Sequence, residues 1–260
     1  MIANYHTHTW RCKHCSGTER AFIEQAISEG LQVLGFADHT PYPFPDGYVS
    51  SFRMPTEQAE DYFTTLSDLK REYAGQIDIR IGVEAEYYPD HFGRLLEFLR
   101  GFPCEYILMG QHYSHNERDG VYHGTRTDSP QVLTHYVDQV LEGLSAGVFS
   151  YLCHPDLVYY VGDPELYRQE MTRLCRGVKA LGLPLEINML GLREDRWYPR
   201  QAFWEIAGQV GNAVVFGCDA HFPGGMTGDG VLEKAEALAA AHGLQVLQTV
   251  ELRSDWRKER

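Results

Sequence analysis

Two histidines stand one residue apart near the amino terminus of the chain, at His6 and His8. The residues before them, Ile2 to Tyr5, predict a short strand. In an extended strand, side chains at i and i+2 point to the same side, and their Cα atoms lie roughly 6.5–7 Å apart. Two imidazoles at that spacing can bind one cation, although a strand that carries two histidines by chance would show the same pattern.

Polar residues of the ligand type recur where apolar runs of the chain end. Seven such runs cover residues 2–5, 33–37, 77–83, 106–110, 149–153, 183–187 and 213–218. Helix-like segments between them cover residues 18–30, 55–73, 129–145, 163–182, 199–209 and 230–242. Strands that alternate with helices favour parallel β-α units, and seven units without a linker predict a closed or nearly closed α/β barrel. We therefore predict one domain over residues 1–260, with its chemistry at the carboxyl ends of the strands.

The strand ends, and the segment after the first strand, supply nine nitrogen and oxygen donors. They are His6, His8, His14, His39, Glu84, His112, His154, Asp219 and His221. Such donors suit Zn²⁺, Fe or Mn²⁺, and nine are too many for one ion. We predict two to three divalent transition-metal ions, with Glu84 as the bridging ligand because a carboxylate has two oxygens. The other histidines, which are predicted to lie on the surface, are His91, His115, His123, His135 and His242.

Composition and charge exclude several classes of protein. The chain is 43% hydrophobic and 23% charged, which is typical of a soluble globular domain. No run approaches the roughly 20 apolar residues of a membrane span, and the amino terminus does not have the pattern of a signal peptide. The six scattered cysteines predict reduced thiols in a cytoplasmic protein. The pair Cys12 and Cys15 has no second pair to complete a zinc knuckle. A net charge of −13 argues against nucleic acid as a partner.

The ordered set of donors resembles the PHP superfamily, the polymerase and histidinol-phosphatase metal-dependent phosphoesterases. Five short segments resemble the histidinol-phosphatase branch: His39-Thr40-Pro41, Phe52-Arg53-Met54, Gly82-Val83-Glu84, Asn188 to Arg193, and Asp219-Ala220-His221. The resemblance spans the whole chain and implies a distorted seven-stranded (β/α) barrel. It also implies three metal sites, formed by His6, His8, Glu84 and Asp219, by Glu84, His112 and His154, and by His14, His39 and His221.

The implied reaction is the hydrolysis of a phosphate monoester, with L-histidinol phosphate as the leading substrate and a hydroxide bridging the metals as the nucleophile. Arg193 is the first candidate to bind the phosphoryl oxygens and Arg53 the second, and Tyr160 is a candidate to flank the imidazole. Asp38, or a metal-site histidine such as His221, could protonate the leaving alkoxide. Asp38 could equally orient His39.

The chain departs from the family pattern at two places. Gly110-Gln111 precedes His112, and Val158-Tyr159-Tyr160 stands where the branch has a phosphate-binding arginine. Three alternative functions remain open at this stage: hydrolysis of another small phosphoester, a 3′–5′ exonuclease activity, and a non-catalytic metal-binding module. An exonuclease would need a basic groove, of which the acidic composition gives little sign.

Overall fold

A computed structural model describes residues 1–258 of the chain. Eight parallel strands form one curled sheet, in which the spatial order of the strands follows the chain. The strands are β1 (Ala3–Asn4), β2 (Val33–His39), β3 (Asp78–Ala85), β4 (Tyr106–Met109), β5 (Phe149–Leu152), β6 (Leu185–Asn188), β7 (Ala213–Gly217) and β8 (Gln245–Val246). The helices are α1 (Glu19–Ser28), α2 (Ala59–Glu72), α3 (Pro89–Arg100), α4 (Pro130–Ser145), α5 (Pro164–Ala180), α6 (Met189–Arg193), α7 (Gln201–Val210) and α8 (Val231–Ala241).

Four of the six predicted helix starts, near residues 18, 129, 163 and 230, are confirmed. The helix predicted from residue 55 begins at Ala59, after a 3-10 turn over Thr56–Gln58, and the one predicted from residue 199 begins at Gln201. Thr18 caps α1 by accepting a hydrogen bond from the backbone N–H of Ala21. Asp163 caps α5 in the same way, accepting from the N–H of Glu165, and Pro164 occupies the first helical position. Proline is well suited to that position, because its missing N–H has no partner in a first turn.

The structure also contains elements that the sequence did not predict. The sheet has eight strands where the pattern indicates seven, because the two-residue β8 carries little apolar signal. The helix α3 was missed although it buries Phe92, Leu95 and Leu99 along one face. The five-residue α6 is too short for helical periodicity to reveal it.

Tyr106 packs inside the curl of the sheet, below the strand ends. Its hydroxyl lies 2.7 Å from the carbonyl oxygen of Tyr5 and 3.0 Å from that of Phe36, and its one proton is shared between these two acceptors. A Cβ atom at Gly82 would lie 2.6 Å from the Tyr106 ring, so only glycine leaves room for it. This contact ties β1 and β2 to β4 beneath the polar end of the sheet.

The carboxyl ends of the first and seventh strands lie side by side. Thr7 and Ala220 form a parallel bridge, and the N–H of His8 donates to the carbonyl of Ala220 at 3.0 Å. The bridge places the two amino-terminal histidines next to Asp219, although more than 200 residues separate them along the chain. The expected convergence of strand ends on one edge is therefore present.

The cysteines and His123 bear on two further expectations. All six cysteines are free thiols, as predicted. His123 is fully buried, against its predicted surface position, because its N–H donates to the carbonyl of His112 and its ring packs edge-on against Tyr136. Within residues 1–258, no helix combines the length and the apolar character that crossing a bilayer requires.

Candidate metal centre

The nine predicted donors come together in three adjoining groups at the carboxyl ends of the strands. In the first group, His8 Nε2 lies 2.9 Å from Asp219 Oδ1, and His6 Nε2 lies 3.6 Å from the same oxygen. The two Nε2 atoms are 3.2 Å apart. All three side chains are buried, so water cannot satisfy these atoms freely.

Glu84 lies between the groups and presents one oxygen to each side. Its Oε1 lies 2.8 Å from His154 Nε2 and 3.7 Å from His112 Nε2. Its Oε2 lies 2.9 Å from His39 Nδ1 and 3.6 Å from His6 Nε2. This arrangement is what a bridging carboxylate requires.

Gly110 allows this position of Glu84. A Cβ atom at residue 110 would lie 1.8 Å from Glu84 Oε1, so any side chain there would displace the carboxylate from this position. The departure from the family pattern before His112 thus has a steric reason in this chain.

The third group stands at the mouth of the centre. His14 Nε2 and His221 Nε2 are 3.0 Å apart, and the ligand atoms of His14, His39 and His221 all lie within 4.8 Å of one another. The Nδ1 atoms of His14 and His221 face backbone carbonyls, of Cys12 at 2.8 Å and of Asp219 at 2.9 Å. In the neutral imidazoles these contacts favour a proton on Nδ1, so that the two Nε2 lone pairs face each other.

Buried atoms without partners indicate that the centre fits cations. His39 Nδ1 and Glu84 Oε2 approach to 2.9 Å, yet neither makes a hydrogen bond of good geometry within the described part of the chain. Facing lone pairs and an unpaired buried carboxylate oxygen cost free energy unless a positive charge stands between them. Imidazole and carboxylate donors are the ligands that Zn²⁺, Fe and Mn²⁺ accept.

Three carboxylates orient the histidines from outside the centre. Glu186 Oε1 accepts from His6 Nδ1 at 2.8 Å, and Glu86 Oε1 accepts from His112 Nδ1 at 3.0 Å. Asp38 Oδ1 lies 3.3 Å from the Nδ1 of His8. Each contact favours the tautomer that points Nε2 inward.

The orienting roles of Glu86 and Glu186 were not predicted, and Asp38 contacts the imidazole of His8 where His39 was expected. Asp38 accepts from the backbone N–H of His39 at 2.8 Å, but its ring contact is with His8. The alternation of Glu186 with Asn188 along β6 was the available signal, because residues i and i+2 share a face.

Two of the nine donors have left-handed backbones that disfavour residues other than glycine. His154 has φ = 28° and Asp219 has φ = 47°. Such conformations cost of order 1–3 kcal/mol each and persist where the surroundings hold them. The His154 N–H donates to Glu186 Oε2 at 2.9 Å, and Asn188 Nδ2 donates to Asp219 Oδ2 at 3.0 Å.

The electrostatics of the centre keep its carboxylates charged. Burial raises the pKa of Glu84, but the surrounding histidines, His112 and His6 among them, outweigh burial and bring that pKa well below its usual value. The pKa of Asp219 is likewise well below its usual value, because His6 and His8 outweigh the effect of burial. Burial lowers the pKa of His39 to about 4, so its imidazole is neutral near pH 7.

A cavity of about 480 Å³ opens above the centre. Among the nine donors, His14, His39, Glu84, His112, His154, Asp219 and His221 form its floor. Its walls are formed by Ser51, Phe52, Tyr113, Tyr122, Leu157, Leu190, Glu194, Arg196 and Tyr198. The walls are mostly aromatic and apolar, and they carry one arginine and one acid.

Four residues predicted to act in catalysis or substrate binding do not line this cavity. The Arg193 guanidinium donates to the carbonyls of Gly225 and Met226, at 2.7 and 2.6 Å. Arg53 is 2% exposed and is engaged by buried carboxylates. Tyr160 and Asp38 are fully buried.

Arg196, and not the predicted Arg193, is the arginine that lines the cavity. It was missed because the family segment ends at Arg193, and the side-chain directions after a short helix cannot be read from residue types.

Comparison with known proteins gives a consistent result. The sequence profile of the PHP domain matches residues 4–189. The chain is 30% identical to a probable histidinol-phosphatase of Deinococcus radiodurans, over 86% of this chain and 87% of that protein. It is 27% identical to the histidinol-phosphatase of Bacillus subtilis, over 84% and 93%.

Two solved structures are similar in fold. One is the histidinol phosphate phosphatase of Lactococcus lactis subsp. lactis complexed with zinc, L-histidinol and phosphate, with a TM-score of 0.71 over 96% of this chain and 97% of that one. The other is a putative histidinol phosphatase of Listeria monocytogenes, with a TM-score of 0.71 over 88% and 99%. Both are 18% identical to this chain, so the likeness concerns the fold.

Proposed function

This chain belongs to the PHP domain family, and from that premise we propose that it is a metal-dependent phosphoric monoester hydrolase acting on L-histidinol phosphate. The observation that carries the proposal is the convergence of nine donors beneath the cavity, with Glu84 facing two groups of histidines. The names of the relatives from Deinococcus radiodurans and Bacillus subtilis support the substrate.

Two to three divalent ions fit the donors present. The proposed ligands are His6, His8, Glu84 and Asp219 for the first ion, Glu84, His112 and His154 for the second, and His14, His39 and His221 for the third. Such ions supply a water of lowered pKa and positive charge for phosphoryl oxygens. Zinc is the metal in the Lactococcus lactis complex, and the same donors also suit iron and manganese.

The chain's own residues hold and orient the ester. Arg196 presents a guanidinium on the cavity wall and can bind two phosphoryl oxygens at once. The rings of Phe52, Tyr113 and Tyr122 form an aromatic wall against which an imidazole can pack. Holding the ester in one orientation over the floor lowers the entropic part of the barrier.

The structure gives neither predicted proton donor a clear route to the leaving oxygen. Asp38 is buried behind His8 and does not line the cavity. His221 lines the cavity, but burial lowers its pKa well below the ordinary value, and its Nδ1 faces the carbonyl of Asp219. The proposal therefore assigns proton transfer to neither residue.

Kinetics over a panel of phosphate monoesters, with metal content measured on the same sample, test the proposal. We expect L-histidinol phosphate to give the highest kcat/KM, and we expect chelation to abolish turnover until a divalent metal is restored. A nucleotide or sugar phosphate that exceeds it tenfold would leave the reaction class intact and reject the substrate. Single-stranded DNA in the same panel tests the exonuclease alternative, and a metal-loaded protein inactive on every ester would favour a non-catalytic module.

A further inference from the structure

Glu194 and Arg196 form an ion pair on the wall of the cavity. Glu194 Oε2 lies 2.8 Å from Arg196 Nε and 2.6 Å from Arg196 Nη2. The remaining guanidinium nitrogen, Nη1, donates to the Tyr198 hydroxyl at 2.9 Å. The two charged side chains are 47% and 33% exposed, so a molecule entering the cavity can reach both.

A left-handed turn after α6 brings the two residues to the cavity. The N–H of Glu194 donates to the carbonyl of Leu190, and the N–H of Arg196 donates to the carbonyl of Gly191. Between them, Asp195 has φ = 55°, a conformation that reverses the chain immediately after the helix. Both neighbours of Asp195 consequently line the cavity.

Glu194 and Arg196 are charged residues of the cavity that do not belong to the proposed metal centre. Among the lining residues of the described chain, Arg196 is the one lysine or arginine, and Glu194 is the one acid outside the proposed metal ligands. On the proposed function, the phosphate of the ester would lie at the floor, toward the donors. The group at the other end of the ester therefore faces a wall where Glu194 is the available acceptor.

We propose that Glu194 selects phosphate esters that carry an ammonium group. When such an ester binds, Glu194 releases Arg196 and pairs with the ammonium group instead. The inference rests on the proposed function and adds to it the residue that recognises the amine. An ester with both a phosphate and an ammonium offers each member of the ion pair a new partner of opposite charge. An ester without the ammonium that draws Arg196 away from Glu194 leaves that carboxylate to water alone.

The test compares L-histidinol phosphate with its analogue that has hydrogen in place of the amine, in the wild-type protein and in Glu194→Gln. For the aminated ester we expect kcat/KM to fall by roughly 10-fold, the scale of one lost hydrogen bond between charged groups at a partly exposed site. For the analogue we expect kcat/KM to stay constant or to rise, because Arg196 is released from its partner. Inhibition by inorganic phosphate should strengthen for the same reason, which provides a readout that does not involve the amine.

Glu205→Gln is the matched control, since Glu205 is exposed on α7 and accepts from Gln209. It should leave both esters and the phosphate inhibition unchanged. Equal losses on the two esters in Glu194→Gln would show a merely structural role and overturn the inference. Unchanged selectivity in a protein that hydrolyses L-histidinol phosphate would overturn the inference alone. A metal-loaded wild-type protein that hydrolyses neither ester would overturn the proposed function together with it.

Discussion

At the scale of single residues, the centre depends on how closely Glu84 approaches its neighbours. Both of its oxygens point at imidazole nitrogens, and the carboxylate is only 1% exposed. A charged group buried this deeply requires compensation by cations or protonated histidines. The close approach exists because Gly110 has no side chain.

Replacing Gly110 by alanine should therefore displace Glu84 and weaken metal binding. We expect Gly110→Ala to lose at least one equivalent of metal and to lower kcat/KM by roughly 10–100-fold, the range reported for disturbing a group that orients a ligand. Elemental analysis and kinetics on the same sample measure both effects.

Gly93→Ala is the control, because a Cβ at that exposed position of α3 meets no atom within 4 Å. It should keep its metal and gain roughly 0.5–1 kcal/mol of stability from the better helix former. A Gly110→Ala protein with the wild-type metal content would contradict the assigned role of the glycine.

At the scale of elements, the connection between β2 and α2 shows what sequence analysis can and cannot provide. Prolines and aromatic residues in residues 40–54 predict a rigid loop over the mouth of the site, with a solvent loop as the alternative. In the structure, Ser51 and Phe52 line the cavity. Arg53 was expected to bind phosphate, but it holds the loop in place from below.

There is a physical reason why the donors could be predicted from the sequence and the contacts around them could not. A ligand-type residue at the end of an apolar run can be recognised locally, so the donors were found from residue types and the order of strands. The pairs His6–Glu186 and His8–Asp38 join residues 180 and 30 positions apart, and they depend on how the sheet curls. The direction of Arg196 depends on one left-handed residue, Asp195, which the sequence does not mark.

Arg53 should contribute strongly to stability. Its guanidinium lies 3.0 Å from Glu86 and 2.5 Å from Glu117, and it donates to the Thr40 carbonyl at 3.1 Å. All three charged side chains are nearly inaccessible, at 2% or less. We expect Arg53→Met to lower the free energy of unfolding by about 3–5 kcal/mol, because it leaves two buried carboxylates without their cation. Urea denaturation measures the loss.

Arg20→Met provides the comparison for Arg53→Met. Arg20 pairs with Glu72 at the surface, where both side chains are about half exposed. Water solvates these charges in the absence of the pair, so the free energy of unfolding should change little. If the two variants lose the same stability, the buried contacts of Arg53 do not hold the loop.

At the scale of the whole molecule, the proposed ligands come from all parts of the chain. They lie at or just beyond the ends of β1, β2, β3, β4, β5 and β7, and the bridge between Thr7 and Ala220 brings the first and last of these strands together. Cations bound at that edge would connect strands that are far apart in sequence. Metal binding and the stability of the fold should therefore be linked.

Removing metal should lower the melting temperature, and restoring it should raise the melting temperature with metal concentration. Glu84 and Asp219 are buried and ionised, since the pKa of each lies well below its usual value, so without a cation their charges are balanced only by histidines. A ligand that binds only the folded state stabilises it by about 2.7 kcal/mol at 100 times its Kd. For a chain of this size that corresponds to a shift of roughly 5–10 °C for each site, measurable by calorimetry on chelated protein titrated with Zn²⁺ or Mn²⁺.

Glu84→Gln should show a smaller shift, because the amide removes the charge shared by two sites. A melting temperature that does not respond to metal in the wild-type protein would mean that these residues do not bind cations in the folded state.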